Sequence, residues 1–231
     1  MDRTLIIDAD DTLWENNIFY EDAIDRFIDL LEERAVARDA ARDRLMEVER
    51  KNIRILGYGT QSFYHSLRQT LETLTEDAAT LEDLRVIDEL TYGIANMTIQ
   101  FLPGVKSTLE RLRERFRLIL FTKGDLKEQQ NKVDRSGVTS YFDHVELTPE
   151  KNRSAYTLLI DRYDLDPRKT WMVGNSPRSD INPALQAGLQ AILIPHPRTW
   201  ELEHAEVQQE GRERFSVLKR FEDLLRHFRI S

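Results

Sequence analysis

The chain has 231 residues, a hydrophobic content of 40%, a charged content of 32% and no cysteine. This length and composition fit a globular protein with room for one domain plus an insertion. The lack of cysteine excludes disulfides, thiolate metal sites and a cysteine nucleophile. The net charge of −8 opposes polyanions, so we expect no nucleic-acid partner, although a small phosphorylated substrate fits a site with its own positive charge.

The sequence contains no candidate membrane segment. No run approaches the ~18 apolar residues of a membrane-spanning helix, and residues 1–4 do not resemble a signal peptide. We therefore expect no membrane partner and a cytoplasmic location. The oligomeric state stays open.

The first predicted element is a short buried strand that ends in a group of acids. Leu5-Ile6-Ile7 is followed at once by Asp8-Ala9-Asp10-Asp11-Thr12. Burying several carboxylates together is unfavourable unless a cation or a shared proton relieves their repulsion. The pattern therefore favours catalysis with a divalent metal over its alternative, a solvated acidic turn that caps a helix. Within the group, Asp11 is expected to cap or be solvated rather than react.

Residues 17–97 have helical periodicity almost throughout, with a break at Gly57-Tyr58-Gly59-Thr60. Thr80 and Asp83 are spaced as a capping box at the start of one of these helices. This stretch is predicted to be an all-helical block.

From Phe101-Leu102-Pro103-Gly104 onward, predicted helices alternate with strands at about 117–121, 143–147, 170–173 and 190–194. A final amphipathic helix is predicted to carry the apolar residues Val217, Phe221, Leu224, Leu225 and Phe228. Such alternation predicts a parallel sheet with helices on both faces. The helical block is then an insertion after the first strand.

Polar residues follow the strands of this predicted sheet. They are Asp8, Asp10, Thr122, Lys151, Asn175 and Asp180. In an open α/β sheet the ligand lies outside the carboxyl ends of the strands, so we expect these scattered residues to converge on one site.

This order of motifs resembles the haloacid dehalogenase-like superfamily of phosphohydrolases. The motifs are residues 8–12, residues 118–122, Lys151 after Pro149-Glu150, and residues 173–180. The resemblance covers residues 1–13 and about 100–195. It implies an α/β, Rossmann-like parallel sheet of five core strands with helices on both faces. Residues 1–13 and 101–231 would be the catalytic core, and residues 14–100 a helical cap domain.

The resemblance also implies a role for each residue. Asp8 would be the nucleophile that forms an aspartyl-phosphate, and Asp10 the general acid and base. Thr122, Lys123 and Lys151 would bind the phosphoryl group, with Lys151 also offsetting the charge of Asp8. The implied Mg²⁺ ligands are Asp8, Asp10 through its backbone carbonyl, Asp180 and Asn175. Asn175 stands where many members carry another acid.

The predicted function is Mg²⁺-dependent hydrolysis of a small phosphorylated metabolite. A phosphomutase of sugar phosphates needs the same motifs and is the alternative enzyme. From another class, a non-catalytic phospho-aspartate signalling or binding module combines similar residues, but response-regulator receivers are about half this length and have no helical insertion. Substrate selection is assigned to the cap, with Tyr58 as the candidate and a plain helix–helix turn as its alternative.

Overall fold

The structure is a computed structural model that describes residues 2–75, 77–208 and 211–230. The chain divides into two compact units, one formed by Met1–Asn17 with Ile99–Ser231 and the other by Ile18–Thr98. In the first unit, the segments on either side of the insertion pair with each other. The Leu102 amide donates to the Leu13 carbonyl over 2.9 Å, and the buried Trp14 packs edge-on against Phe101.

The described residues of the unit Ile18–Thr98 form helices. They are α1 (Asn17–Glu32), α2 (Arg38–Leu56), α3 (Thr60–Thr75) and α4 (Leu81–Ala95). These helices bury a core of their own, which includes Phe27, Leu45, Leu67 and Ile87. The predicted capping box is confirmed at the start of α4, where Thr80 Oγ1 accepts from the Asp83 amide and the Asp83 carboxylate accepts from the Thr80 amide. Among the described residues, no helix is both long enough and apolar enough to span a membrane.

The first unit is built on a parallel sheet. Its strands are β1 (Thr4–Ile7), β2 (Arg117–Lys123), β3 (His144–Thr148), β4 (Thr170–Gly174), β5 (Gln190–Leu193) and β6 (Phe215–Val217). They are ordered β3-β2-β1-β4-β5-β6. β1 is central, with Ile7 opposite both Leu120 of β2 and Val173 of β4. The position that follows Ile7 is therefore flanked by the ends of both neighbouring strands.

Helices cover both faces of this sheet. They are α5 (Val105–Leu112), α6 (Leu126–Ser136), α7 (Arg153–Tyr163), α8 (Asn182–Gln186) and α9 (Asp223–His227). Successive strand residues point to opposite faces. Leu5 and Ile7 accordingly pack with residues of α5, α6 and α9, whereas Ile6 packs with residues of α7 and α8. The predicted α/β, Rossmann-like class is confirmed.

The sheet contains six strands among the described residues, where the sequence predicted five. Residues Phe215–Val217 pair with β5, and the Leu218 amide continues the ladder by donating to the Leu193 carbonyl over 2.9 Å. The prediction that Val217 belongs to the final helix is therefore wrong, and Phe221 and Phe228 also lie just outside α9, which spans Asp223–His227. Three residues are too short to show a strand period, and the unpaired backbone groups of the β5 edge decide their conformation.

Candidate active site

Asp8 lies directly after β1, where its amide donates to the Val173 carbonyl over 2.9 Å. Its side chain is buried. Oδ1 accepts a hydrogen bond from Lys151 Nζ at 2.5 Å, and Oδ2 accepts one from Thr12 Oγ1 at 3.0 Å. Because β1 is paired on both sides, the backbone holds this carboxylate in a fixed position.

Lys151 joins the carboxylates of Asp8 and Asp180. It lies between β3 and α7, is almost completely buried, and places Nζ 2.8 Å from Asp180 Oδ1. Asp180 belongs to a π-helical turn after β4, Pro177–Ile181, and its Oδ2 accepts from the Ser176 amide at 3.0 Å. The ends of β1, β3 and β4 thus bring together three residues that are distant in sequence.

Gly174, at the end of β4, leaves the space that Asp180 occupies. A Cβ atom at this position would overlap the Asp180 carboxylate. The backbone of Gly174 is not left-handed, so the requirement is for space rather than for an unusual conformation. A side chain here would displace Asp180 from Lys151.

The three groups have an excess of negative charge. Burial raises the pKa of Asp8 to about 7, with the charge of Asp180 acting in the same direction and Lys151 opposing it. Burial alone would lower the pKa of Lys151, but Asp180 and Asp8 raise it. The ammonium therefore stays charged. Once Asp8 ionises, two carboxylates share one positive charge, and this imbalance favours a further cation.

Asn175 lies beside the Asp8 carboxylate. Its Oδ1 accepts from Thr12 Oγ1 at 3.3 Å, and its Nδ2 donates to Thr199 Oγ1 at 3.1 Å. The Thr12 hydroxyl lies within hydrogen-bonding distance of both Asn175 Oδ1 and Asp8 Oδ2. The amide oxygen and the carboxylate oxygen therefore face a common point.

The Asp10 side chain is turned toward a different set of donors. Oδ1 accepts from Trp14 Nε1 at 2.8 Å, and Oδ2 accepts from Gln129 Nε2 at 3.0 Å and from Lys132 Nζ at 2.5 Å. The hydrogen bonds described for this carboxylate do not reach Asp8. Two acids that are two residues apart thus have separate surroundings.

Thr122 and Lys123 end β2. Thr122 is buried, and its Oγ1 donates to Gln129 Oε1 at 3.2 Å. Lys123 Nζ lies 2.5 Å from Glu203 Oε1 and 2.7 Å from Ser179 Oγ. Because the Lys123 ammonium is paired within the chain, its contact with a phosphate stays a prediction.

Tyr58 belongs to the helical unit, where it is half-buried in the turn between α2 and α3. The flanking Gly57 and Gly59 have φ values of 80° and 112°, in the region that favours glycine. The role of Tyr58 in substrate selection stays a prediction.

Gln129 and Lys132 were not predicted from the sequence, although both contact Asp10. They are three positions apart on α6, so they share one face of the helix that follows Thr122. This spacing, on the helix that follows Thr122, is the feature of the sequence from which they could have been predicted to face the site.

Glu203 was also missed. It lies in a short 3-10 helix, Glu201–Glu203, and its Oε2 accepts from the hydroxyls of Ser176 and Ser179 at 2.5 Å each. Burial alone would raise the pKa of Glu203, but Lys123 and the two hydroxyls lower it. No pattern in the sequence distinguishes this glutamate from its exposed neighbours.

A second group of potential metal ligands lies near the start of the insertion. Asp11, Glu15 and His196 each place one ligand atom within 4.8 Å of the others. Asp11 Oδ1 already accepts from the amides of Asn16 and Asn17, at 2.8 and 3.0 Å. This is the capping role expected for Asp11. His196 Nε2 lies 3.2 Å from Glu15 Oε2, a buried oxygen that has no hydrogen-bond partner among the described residues.

Curated proteins to which the chain is similar are phosphatases. N-acylneuraminate-9-phosphatase of Rattus norvegicus is 32% identical over 105 residues, which are 43% of this chain and 42% of that protein. Glyceraldehyde 3-phosphate phosphatase of Methanothermobacter thermautotrophicus is 31% identical over 115 residues, 47% of this chain and 50% of that protein. The matched segments therefore span half or less of these relatives' length.

Solved structures show the same fold over nearly the whole chain. A haloacid dehalogenase-like family hydrolase from Xanthomonas campestris has a TM-score of 0.84 and 27% identity, covering 99% of this chain and 91% of that chain. The sequence also matches the model of the haloacid dehalogenase-like hydrolase family over residues 3–188. Since this match covers well over half of the sequence, the chain belongs to the haloacid dehalogenase-like hydrolases.

Proposed function

We propose that this chain is a Mg²⁺-dependent phosphatase that hydrolyses a small phosphomonoester through an aspartyl-phosphate on Asp8. The observation that carries this proposal is the buried contact between Asp8 and Lys151, whose ammonium also binds Asp180. A lone carboxylate would repel a phosphate group, but a carboxylate held against a fixed cation can approach it. The similarity to two curated phosphatases supports the same reaction.

The reaction divides into two displacements at phosphorus. In the first, an oxygen of Asp8 bonds to phosphorus, the bond to the alcohol oxygen breaks, and Asp10 supplies the proton that this oxygen needs. In the second, a water oxygen attacks phosphorus, Asp10 takes its proton, and the bond to Asp8 breaks to release inorganic phosphate. Lys151 offsets the negative charge in both steps, and the amides that follow Thr122 donate to the phosphoryl oxygens. The Thr122 hydroxyl would join them by turning its proton away from Gln129 Oε1.

The residues around Asp8 fit Mg²⁺. Asp8 and Asp180 offer carboxylate oxygens, Asn175 an amide oxygen and Asp10 its backbone carbonyl, and oxygen donors are those that Mg²⁺ prefers. The Thr12 hydroxyl lies within hydrogen-bonding distance of both Asp8 Oδ2 and Asn175 Oδ1, so two of these oxygens lie around one point. When bound, Mg²⁺ would supply Lewis-acid stabilisation of the phosphoryl charge.

We assign the cation to this set rather than to Asp11, Glu15 and His196. Asp11 accepts backbone amides, and His196 contacts Glu15. The second group also includes an imidazole nitrogen, whereas Mg²⁺ prefers oxygen ligands. The set around Asp8 consists of oxygen donors alone, and the charge of Asp180 raises the pKa of Asp8 in addition to the effect of burial.

A phosphate-release screen tests the proposal. The purified chain with Mg²⁺ is incubated with phosphorylated metabolites, beginning with N-acylneuraminate 9-phosphate and glyceraldehyde 3-phosphate, the substrates in the names of its relatives. We expect release of inorganic phosphate from at least one ester and its loss in EDTA. An isomerised sugar phosphate without release would favour a phosphomutase instead. Phosphate release that is undiminished in EDTA would contradict the metal assignment.

Asp8→Asn is the matched variant, with Asp161→Asn as its control. Asp161 is an exposed acid on α7, so its substitution removes the same charge far from Lys151. We expect Asp8→Asn to lose turnover and Asp161→Asn to keep it. Retention of more than about a tenth of kcat in Asp8→Asn would overturn its assignment as nucleophile, because ~1.4 kcal/mol is too small an effect for that role.

We further propose that residues 14–100 act as the cap that selects the substrate, with Tyr58 contacting its non-phosphate part. The support is the position of this helical unit in the sequence, between the first strand and the remaining β/α units, together with the half-buried turn at Tyr58. The names of two relatives suggest a phosphorylated sugar or sugar acid as that substrate.

A further inference from the structure

The donors around Asp10 leave only part of its carboxylate open. An ionised carboxylate has about four acceptor positions, two on each oxygen. Oδ2 accepts from both Gln129 Nε2 and Lys132 Nζ, at 3.0 and 2.5 Å, whereas Oδ1 accepts from Trp14 Nε1 at 2.8 Å. In these described hydrogen bonds both positions of Oδ2 are used, and one position on Oδ1 remains.

The two donors to Oδ2 are presented by one rigid helix. The first turn of α6 is capped by Asp125, whose Oδ1 accepts from the amides of Lys127 and Glu128 at 3.0 Å each. Farther along the same helix, Val133 is fully buried in the core. The first turn of α6 is thus capped and its inner face is packed in the core, so Gln129 and Lys132 extend from an anchored helix.

Gln129 also connects Asp10 to the predicted phosphate-binding residue. Its Oε1 accepts from Thr122 Oγ1 while its Nε2 donates to Asp10, so one side chain spans both groups. Gly124 leaves room for it, because a Cβ there would lie 2.8 Å from Gln129 Nε2. The φ of 146° at Gly124 also disfavours other residues.

Lys132 is the charged member of this arrangement. Its side chain is 13% exposed, and besides Asp10 it contacts Asn16 Oδ1 at 3.1 Å. A partly buried lysine loses much of its hydration, and the contact with Asp10 compensates for that loss. The same contact orients the carboxylate, since two donors on Oδ2 restrict its rotation.

We infer that Lys132, together with Gln129, is a positioning residue that directs Oδ1 of Asp10 toward the leaving group, so that Oδ1 is the oxygen that gives and takes the proton. This inference rests on the proposed function, in which Asp10 protonates the alcohol oxygen. Lys132 itself does not touch the reacting atoms. Its loss should therefore matter only where the leaving group needs a proton.

Two aryl phosphates separate this role from a structural one. p-Nitrophenolate leaves readily without a proton, whereas phenolate, whose conjugate acid has a pKa of about 10 like that of tyrosine, depends on a general acid. Since kcat/KM reports the steps up to release of the phenol, it is measured with Mg²⁺ for both esters. We expect Lys132→Met to lower kcat/KM about 30-fold for phenyl phosphate and less than about 3-fold for p-nitrophenyl phosphate. The larger loss is part of the roughly 10²–10⁴-fold acceleration that a general acid contributes.

Lys127→Met is the matched control. Lys127 is an exposed lysine on the same helix, and its substitution should change neither ester. Equal losses for both esters in Lys132→Met would show that Lys132 only supports the fold, and would overturn the inference. Wild-type protein that hydrolyses neither ester nor any metabolite would instead refute the proposed function, so the two failures are distinguishable.

A double-mutant cycle with Asp10→Asn completes the test. Without a carboxylic acid at position 10, there is nothing left for Lys132 to position. We therefore expect Lys132→Met to cause no further change in the ratio of the two kcat/KM values in the Asp10→Asn background. Independent, multiplicative effects of the two substitutions on that ratio would mean that Lys132 acts through another group, which would also overturn the inference.

Discussion

Replacement of Asp8 by Asn should stabilise the metal-free protein, although it removes the proposed nucleophile. Burial and the charge of Asp180 raise the pKa of Asp8 from its usual 3.8 to about 7. One pKa unit corresponds to about 1.4 kcal/mol, so ionised Asp8 destabilises the folded state by up to about 4 kcal/mol. Asn has nearly the same shape and no charge, and its oxygen can still accept from Lys151.

The effect has a defined pH dependence. Well below pH 3.8 Asp8 is neutral in both the folded and the unfolded chain and does not affect stability. Between pH 4 and pH 7 the unfolded chain releases the proton while the folded chain retains it, so the free energy of unfolding falls as pH rises. Above pH 7 the loss is complete. The variant lacks this titration and should be more stable by about 2–4 kcal/mol at pH 8.

Thermal unfolding in EDTA, at pH values from 4 to 8, measures this difference. The melting temperatures of wild type and Asp8→Asn should coincide near pH 4 and separate progressively toward pH 8. At this chain length, each kcal/mol corresponds to about 2–4 °C. A variant that is less stable than wild type at pH 8, or a difference that does not change with pH, would refute the account of Asp8 as a buried, repelled carboxylate.

Three further substitutions test the site and the helical unit. Gly174→Ala should displace Asp180 and lower kcat about 100-fold or more, whereas Gly93→Ala, in an open position of α4, should not lower it. Asn175→Asp should strengthen Mg²⁺ binding in a titration of activity against Mg²⁺, and an unchanged dependence would place this side chain outside the coordination shell. Tyr58→Ala should raise KM for the preferred substrate but not for p-nitrophenyl phosphate, and equal changes would indicate a purely structural turn.

The order of the polar motifs was enough to predict which residues meet at the strand ends. Asp8 and Lys151 are 143 positions apart, and Lys151 and Asp180 are 29 apart. Alternating helices and strands imply a parallel sheet, and parallel strands place their carboxyl ends along one edge. The meeting of these residues therefore follows from local periodicity and chain direction, both of which are readable in the sequence.

The partners of the remaining polar side chains depended on tertiary structure. The roles of Asp10 and Lys123 at the phosphate stay predictions, but their partners within the chain were not foreseen: Asp10 accepts from Trp14, Gln129 and Lys132, and Lys123 contacts Glu203. At the end of a strand, a side chain can adopt several rotamers of similar energy. The charges and hydrogen-bond donors that the packed elements bring close determine which rotamer it adopts.

The sixth strand illustrates the same division between local and tertiary information. The apolar spacing around Phe221 and Leu224 predicted a helix that extends back to Val217, but Val217 pairs with β5 of the sheet. Strand pairing is a contact with a segment that is distant in sequence. Three residues are too few to show the alternating pattern from which a strand can be predicted. The sequence by itself determined the parallel sheet and the residues at its edge. Only the tertiary structure decided how each buried charge is paired, because that choice depends on groups that meet after the chain has folded.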